Sequence, residues 1–232
     1  LARMDDAGIG RSAVSLLEAV FHRNVQPANE RLAELLAPHR SRLIPLATIN
    51  PTYEKWEDDL RICHEKLGMK GVRLFPVYHN YPVDGPAARA VAAACAGRKL
   101  PVMLPFRMED PRQRHWLDPG RTLDLNAAAN LLAATPDLTL VVTNYRGLPN
   151  VPMWRREELH AREWYVDTSL AEYHRDLEEF VKGGGAAHLV FGTHQPFSYA
   201  ASALVKRAQL QVDAGELEEI SSGRAARLFG VA

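Results

Sequence analysis

Cysteine is scarce in this 232-residue chain. Cys63 and Cys95 each fall inside a helical pattern and form no CxxC pair. That excludes a disulfide framework and a cysteine-based zinc site, and leaves two reduced core residues as the expectation. Excess charge of one sign is absent too: Lys plus Arg and Asp plus Glu each number 28, and the basic residues are scattered. A nucleic-acid partner, which needs a basic stripe, is therefore not expected. No apolar run approaches the roughly 18 residues of a membrane span. The opening LARMDDAGIG lacks the basic-then-apolar order of a secretory signal, so the expectation is a soluble, cytoplasmic protein.

With 47% hydrophobic residues the chain can bury a large core, and one domain over residues 1–232 is expected. Short β-rich runs occur at residues 12–16, 43–49, 70–75, 100–104, 138–143, 164–168 and 188–192, most of them separated by helical spacing. In YEKWEDDLRICHEKLG, Trp56, Leu60, Cys63 and Leu67 share one stripe and Gly68 ends the helix. In NERLAELLAPHR, Leu32, Leu35 and Leu36 share one side, with Asn29 as the cap. PAARAVAAACAGRK starts at a proline and stops at Gly97, and NAAANLLAATPD stops at Pro136.

This alternation predicts an α/β fold of parallel strands. An open doubly wound sheet is one solution, but no GxGxxG turn follows an early strand, which weakens it. The preferred solution is a TIM-like (β/α)8 barrel whose first strand lies upstream of Leu1 or is missing, because LARMDDAGIG reads as the tail of a helix. If that strand is absent from the folded molecule, a homodimer or a folded-in terminus is expected to cover the open edges.

Barrel enzymes draw their chemistry from the C-terminal strand ends. Those ends supply Arg73, then His79 and Asn80, Arg107, Asn144 and Arg146, Asp167 with Thr168 and Ser169, and His194 with Gln195. Each has a bland reading. Arg73 serves either in an ion pair, most simply with Asp167, or in an anion site. His79, between Tyr78 and Tyr81, is a packing residue or a functional one, and His115 reads as a solvated loop residue. Asn144 and Arg146 either satisfy a turn or face a ligand. His194 stands out, because GTHQP places an imidazole where helix packing does not require one.

The segments MDDAGIGRSAVS, LGMKGVRLFP, LPVMLPFR, TPDLTLVVTNYRG, WYVDTS, LVFGTHQPF and GRAARLFG, in this order, resemble the amidohydrolase-related family of TIM-barrel metal-dependent hydrolases. The resemblance implies a barrel enzyme whose first strand, with His-x-His metal ligands, lies before Leu1. It also implies metal-ligating histidines at the ends of the fifth and sixth strands, where this chain has Pro105 and Asn144, and Ser-Asp at the end of the eighth, where it has Thr193 and His194. The usual zinc site cannot assemble from those positions, so no cofactor is assigned. A rebuilt zinc site using His79, His115 and His194 is the alternative. Arg73, Arg107 and Arg146 offer positive charge at the same mouth and suit a small anionic or polar substrate. The expectation is a hydrolase or lyase in which His194 is the acid–base group and Asp167 its partner, with Arg73, His79, Arg107, Asn144, Arg146 and Gln195 binding substrate. A catalytically inactive barrel that binds a ligand or protein is the competing expectation.

Overall fold

The structure, a computed structural model, describes residues 1–231 apart from 111, 113, 119, 120, 172 and 173. Among the described residues, eight strand segments run in chain order: β1 (Ser12–Val14), β2 (Leu43–Pro45), β3 (Ala47–Thr48), β4 (Val72–Arg73), β5 (Val102–Pro105), β6 (Leu140–Thr143), β7 (Trp164–Asp167) and β8 (Leu189–Val190). Every pairing is parallel, and neighbours in space are neighbours in sequence. β2 and β3 are halves of one strand on either side of Leu46. The Leu46 amide donates to Val14 and the Ala47 amide to Gly71, so the pairing passes from β1 to β4 without a break. All seven runs read from the sequence are strands. β1 and β8 do not pair with each other among the described residues.

Helices follow the strands as the alternation requires, including Gln26–Leu36, Trp56–Arg61, Pro86–Ala96 and Leu125–Ala134. None among the described residues is long and apolar enough to cross a membrane. The outward strand side chains Val72, Val102, Leu104, Leu140, Val142 and Val166 pack with Leu60, Cys63, Val91, Cys95, Leu131 and Leu132 of these helices in one large core. Two helix readings need correction. Asn29 is not a cap: it lies inside its helix, buried, where its Oδ1 accepts from the Thr48 amide and its Nδ2 donates to the Thr48 carbonyl, both at 2.9 Å. Leu35 is 54% exposed and takes no part in the stripe.

The inward faces form a second core. Ile44, Leu46, Met103, Val141 and Val190 meet Phe229 of the C-terminal helix Arg224–Phe229, with Ala13 and Tyr165 against them. Two residues further along the same faces, alternation brings in Ser15, Thr48, Thr143, Asp167 and Gly192, beside the inward-facing Arg73. The interior is thus apolar on the side that meets Phe229 and polar at the C-terminal strand ends.

Candidate functional site at the C-terminal mouth

The polar layer is held by a buried network. Asp167, at the end of β7, accepts at Oδ1 from the Asn144 amide (2.9 Å) and from Ser169 Oγ (2.8 Å). Ser169 Oγ also lies 3.2 Å from Asn144 Oδ1, and Asn144 Nδ2 donates to the Arg107 carbonyl at 2.9 Å. Asn144 reaches both partners because its backbone is left-handed, with φ +63°. Asparagine tolerates that region better than most residues. Burial raises the Asp167 carboxyl above its ordinary range, against the lowering effect of its hydrogen bonds and of Arg73. Gly192 fits beside it because it has no side chain: a Cβ there would stand 2.5 Å from Asp167 Oδ2.

Arg73 extends from β4 into the same interior. Its Nη1 donates to Ser15 Oγ at 3.1 Å, and its buried Nε has no hydrogen-bond partner among the described residues. Burial pushes the guanidinium down to about 10, while Asp167 pulls it back up. Asp167 is the carboxylate that acts on Arg73: the two attract through space, while the hydrogen bonds of Asp167 go to Asn144 and Ser169. Ser15 is a site residue that the strand-end rule should have caught, since it follows β1 as Arg73 ends β4.

His194 also has positive φ, +54°, and its ring stacks on Phe197 with centroids 5.2 Å apart. Burial first, then Arg73 and Arg107, push the imidazole down to about 4, opposed by a hydrogen bond to the Met108 backbone. Asp167 is not its hydrogen-bond partner among the described residues; the Asp167 carboxylate bonds to Asn144 and Ser169. Asn144 and His194 nevertheless stand on one rim, because they bond to the adjacent residues Arg107 and Met108. Arg107 is buried. Gln195 is fixed through its amide, which donates to Thr193 Oγ1 at 3.4 Å. Arg146 is half-buried, next to a Tyr145 ring that packs edge-on against Phe106 at 4.9 Å.

His79 lies outside this cluster. Its Nε2 is 3.2 Å from the Ala19 carbonyl, burial lowers its pKa, and it lines a groove of about 900 Å³ beside the mouth. The groove is built from the loops after β1, β3, β4, β5 and β8, with Phe21, Tyr78, Met108, Leu117 and Phe197 among its walls. Sequence reasoning missed it because these residues come together only when the loops fold. His115, exposed, lines the same groove and accepts from the Leu117 amide at Nδ1.

A metal does not fit this residue set. Pro105 offers no donor atom, Asn144 and Asp167 Oδ1 are committed to each other and to neighbouring groups, and no group of three His, Cys, Asp or Glu side chains among the described residues could hold an ion. His79, His115 and His194 do not converge as a rebuilt zinc site.

Comparison with solved structures gives the fold independently. The chain superposes on 5-carboxyvanillate decarboxylase from Sphingomonas paucimobilis with a TM-score of 0.78 and 17% identity, covering 100% of this chain and 82% of that one. It superposes on an uncharacterized TIM-barrel protein from Bordetella bronchiseptica with a TM-score of 0.74 and 19% identity, covering 99% and 81%. A dihydroxybenzoic acid decarboxylase from Polaromonas sp., with bound manganese and the inhibitor 2-nitroresorcinol, gives 0.72 and 18%, covering 98% and 84%. The fold is the TIM barrel. No curated protein matches the chain. The amidohydrolase family model matches residues 1–231, and the chain belongs to that family.

Proposed function

We propose that this amidohydrolase-family barrel is a lyase or hydrolase acting on a small organic carboxylate at its C-terminal mouth. The observation that carries the reading is the placement of His194 within the electrostatic reach of both Arg73 and Arg107. Two guanidinium groups act on the neutral imidazole at this mouth, and a carboxylate substrate interacts favourably with both. Arg73, with its Nε unmatched, holds that carboxylate, and Arg107 adds positive field from a buried position. The likeness to decarboxylases of aromatic acids supports the same substrate class.

His194 is the proton-transfer group. It is neutral in the free protein near pH 7, because its pKa is depressed to about 4. A bound carboxylate offsets the two arginines and lets the ring take up a proton. In a decarboxylation the C–C bond to the carboxylate breaks, carbon dioxide leaves, the electron pair stays on the ring carbon, and the His194 proton fills that position. In a hydrolysis the neutral ring instead accepts a proton from the attacking water. Asp167 acts through Asn144 and Ser169 as the positioning carboxylate, and His79, Arg146 and Gln195 contact substrate at the edges of the mouth. No step passes through a metal.

Assaying carbon dioxide release from hydroxybenzoates and acid release from lactones tests this. His194→Ala is expected to lower turnover at least ~100-fold, the lower range for losing an acid–base group, and Arg73→Met to raise KM. Unchanged turnover in His194→Ala would refute the assignment. One observation favours a second reading, a barrel that binds without reacting: Asn144, Asp167 and Ser169 spend polar atoms on one another. Carboxylate binding with no turnover on any substrate is the outcome that reading requires.

A further inference from the structure

We infer that the acid bound at this mouth has a body larger than one ring, lying in the groove beside His194. The inference rests on the carboxylate reading above and adds the size of the rest of the molecule. Two observations carry it.

The first is volume. At about 900 Å³ the groove is near the upper end of the range of roughly 300–1,000 Å³ that encloses drug-sized ligands. A one-ring acid would leave most of it to water. The second is the character of the rim. Phe21 is 71% exposed and Leu117 66%, and Leu17 and Phe197, also exposed, line the same groove. Apolar side chains gathered around one opening mark a surface that an apolar partner covers. The inner end of the groove meets the charged mouth, since Phe197 stacks on the His194 ring and Met108, another groove residue, supplies the backbone group bonded to it. An acid with its head at Arg73 and His194 therefore has its body directed into apolar walls.

Calorimetric titration of the whole chain with benzoate, 4-phenylbenzoate and 4-phenylbenzamide tests the inference. 4-Phenylbenzoate is expected to bind at least ~10-fold more tightly than benzoate, consistent with burial of a second ring. The Phe21→Asp, Leu117→Asp double variant changes two exposed positions and so leaves the core intact. It is expected to weaken 4-phenylbenzoate by ~10-fold, the same second-ring contribution, and to leave benzoate unchanged. Equal binding of benzoate and 4-phenylbenzoate, or equal weakening of both by the variant, overturns the inference while the carboxylate reading stands. If the amide binds as tightly as the acid, the carboxylate reading fails and the groove remains the binding site. If none of the three binds, both fall.

Discussion

Two residues in the barrel carry charge chemistry at odds with their surroundings, and each gives a pH-dependent signature. His194 is one. Asp59 is the other: it is 5% exposed in the helix Trp56–Arg61, its Oδ2 has no hydrogen-bond partner among the described residues, and its carboxyl is raised from 3.8 to about 6. Burial is the main cause, followed by Asp58 and Glu30, with Lys55 opposing. Because the folded value lies above the unfolded one, the protonated acid stabilises the fold fully below 3.8, and that contribution is lost as pH rises through about 6. Asp59→Asn removes the penalty. Thermal unfolding of the two proteins is expected to coincide near pH 4 and to diverge by pH 8, the variant being more stable by on the order of 2 kcal/mol. A constant difference across that range would show that Asp59 titrates normally.

At the scale of elements, helix Gln26–Leu36 is tied to β3 by a side chain. Asn29 satisfies both the amide and the carbonyl of Thr48, a pairing that neither neighbouring strand supplies at that point. Asn29→Ala leaves two buried backbone groups unmatched and is expected to cost about 2–3 kcal/mol in denaturant unfolding. A cost below about 0.5 kcal/mol, the range of an ordinary surface substitution, would mean that water or a shift of the strand replaces the amide. The same residue shows where sequence reading stops. An asparagine ahead of a leucine stripe has the chemistry of a cap, and the helix begins earlier than that pattern suggests because Pro27 fits its first turn. The strands were legible because each is a short apolar run closed by Gly, Pro or a polar residue, and local pattern suffices for that. Their order in space was legible because parallel strands joined by helices pair with their sequence neighbours. The interruption at Leu46 was not legible, since it comes from the change of hydrogen-bond partner between β1 and β4.

Across the whole molecule, two halves of one interior divide the work. The side plugged by Phe229 is a closed apolar core, and the opposite side is a polar mouth opening on a groove. Alternation along each strand made the position of the mouth readable: residues ending β4, β7 and β8 face inward wherever their neighbours two positions earlier are apolar and inward. The pairings within the mouth were not readable. Asp167 turned to Asn144 and Ser169 because a left-handed Asn144 brings its amide over the carboxylate, and His194 turned to the Met108 backbone. Both choices are made by loop geometry that residue spacing does not encode. The family resemblance read from the sequence holds over residues 1–231, with Pro105 and the committed Asn144 standing where that resemblance implies metal-ligating histidines.

Everything proposed for the mouth depends on His194 sharing one electrostatic site with Arg73 and a bound carboxylate. A pH titration of the His194 ring by nuclear magnetic resonance, assigned with His194→Gln and repeated with saturating 4-phenylbenzoate and in Arg73→Met, measures that directly. The ring is expected to titrate near 4 in the free protein, higher in Arg73→Met, and higher again when the acid binds. A ring that titrates at its ordinary value, 6.5, and responds neither to the acid nor to the loss of Arg73 would contradict it.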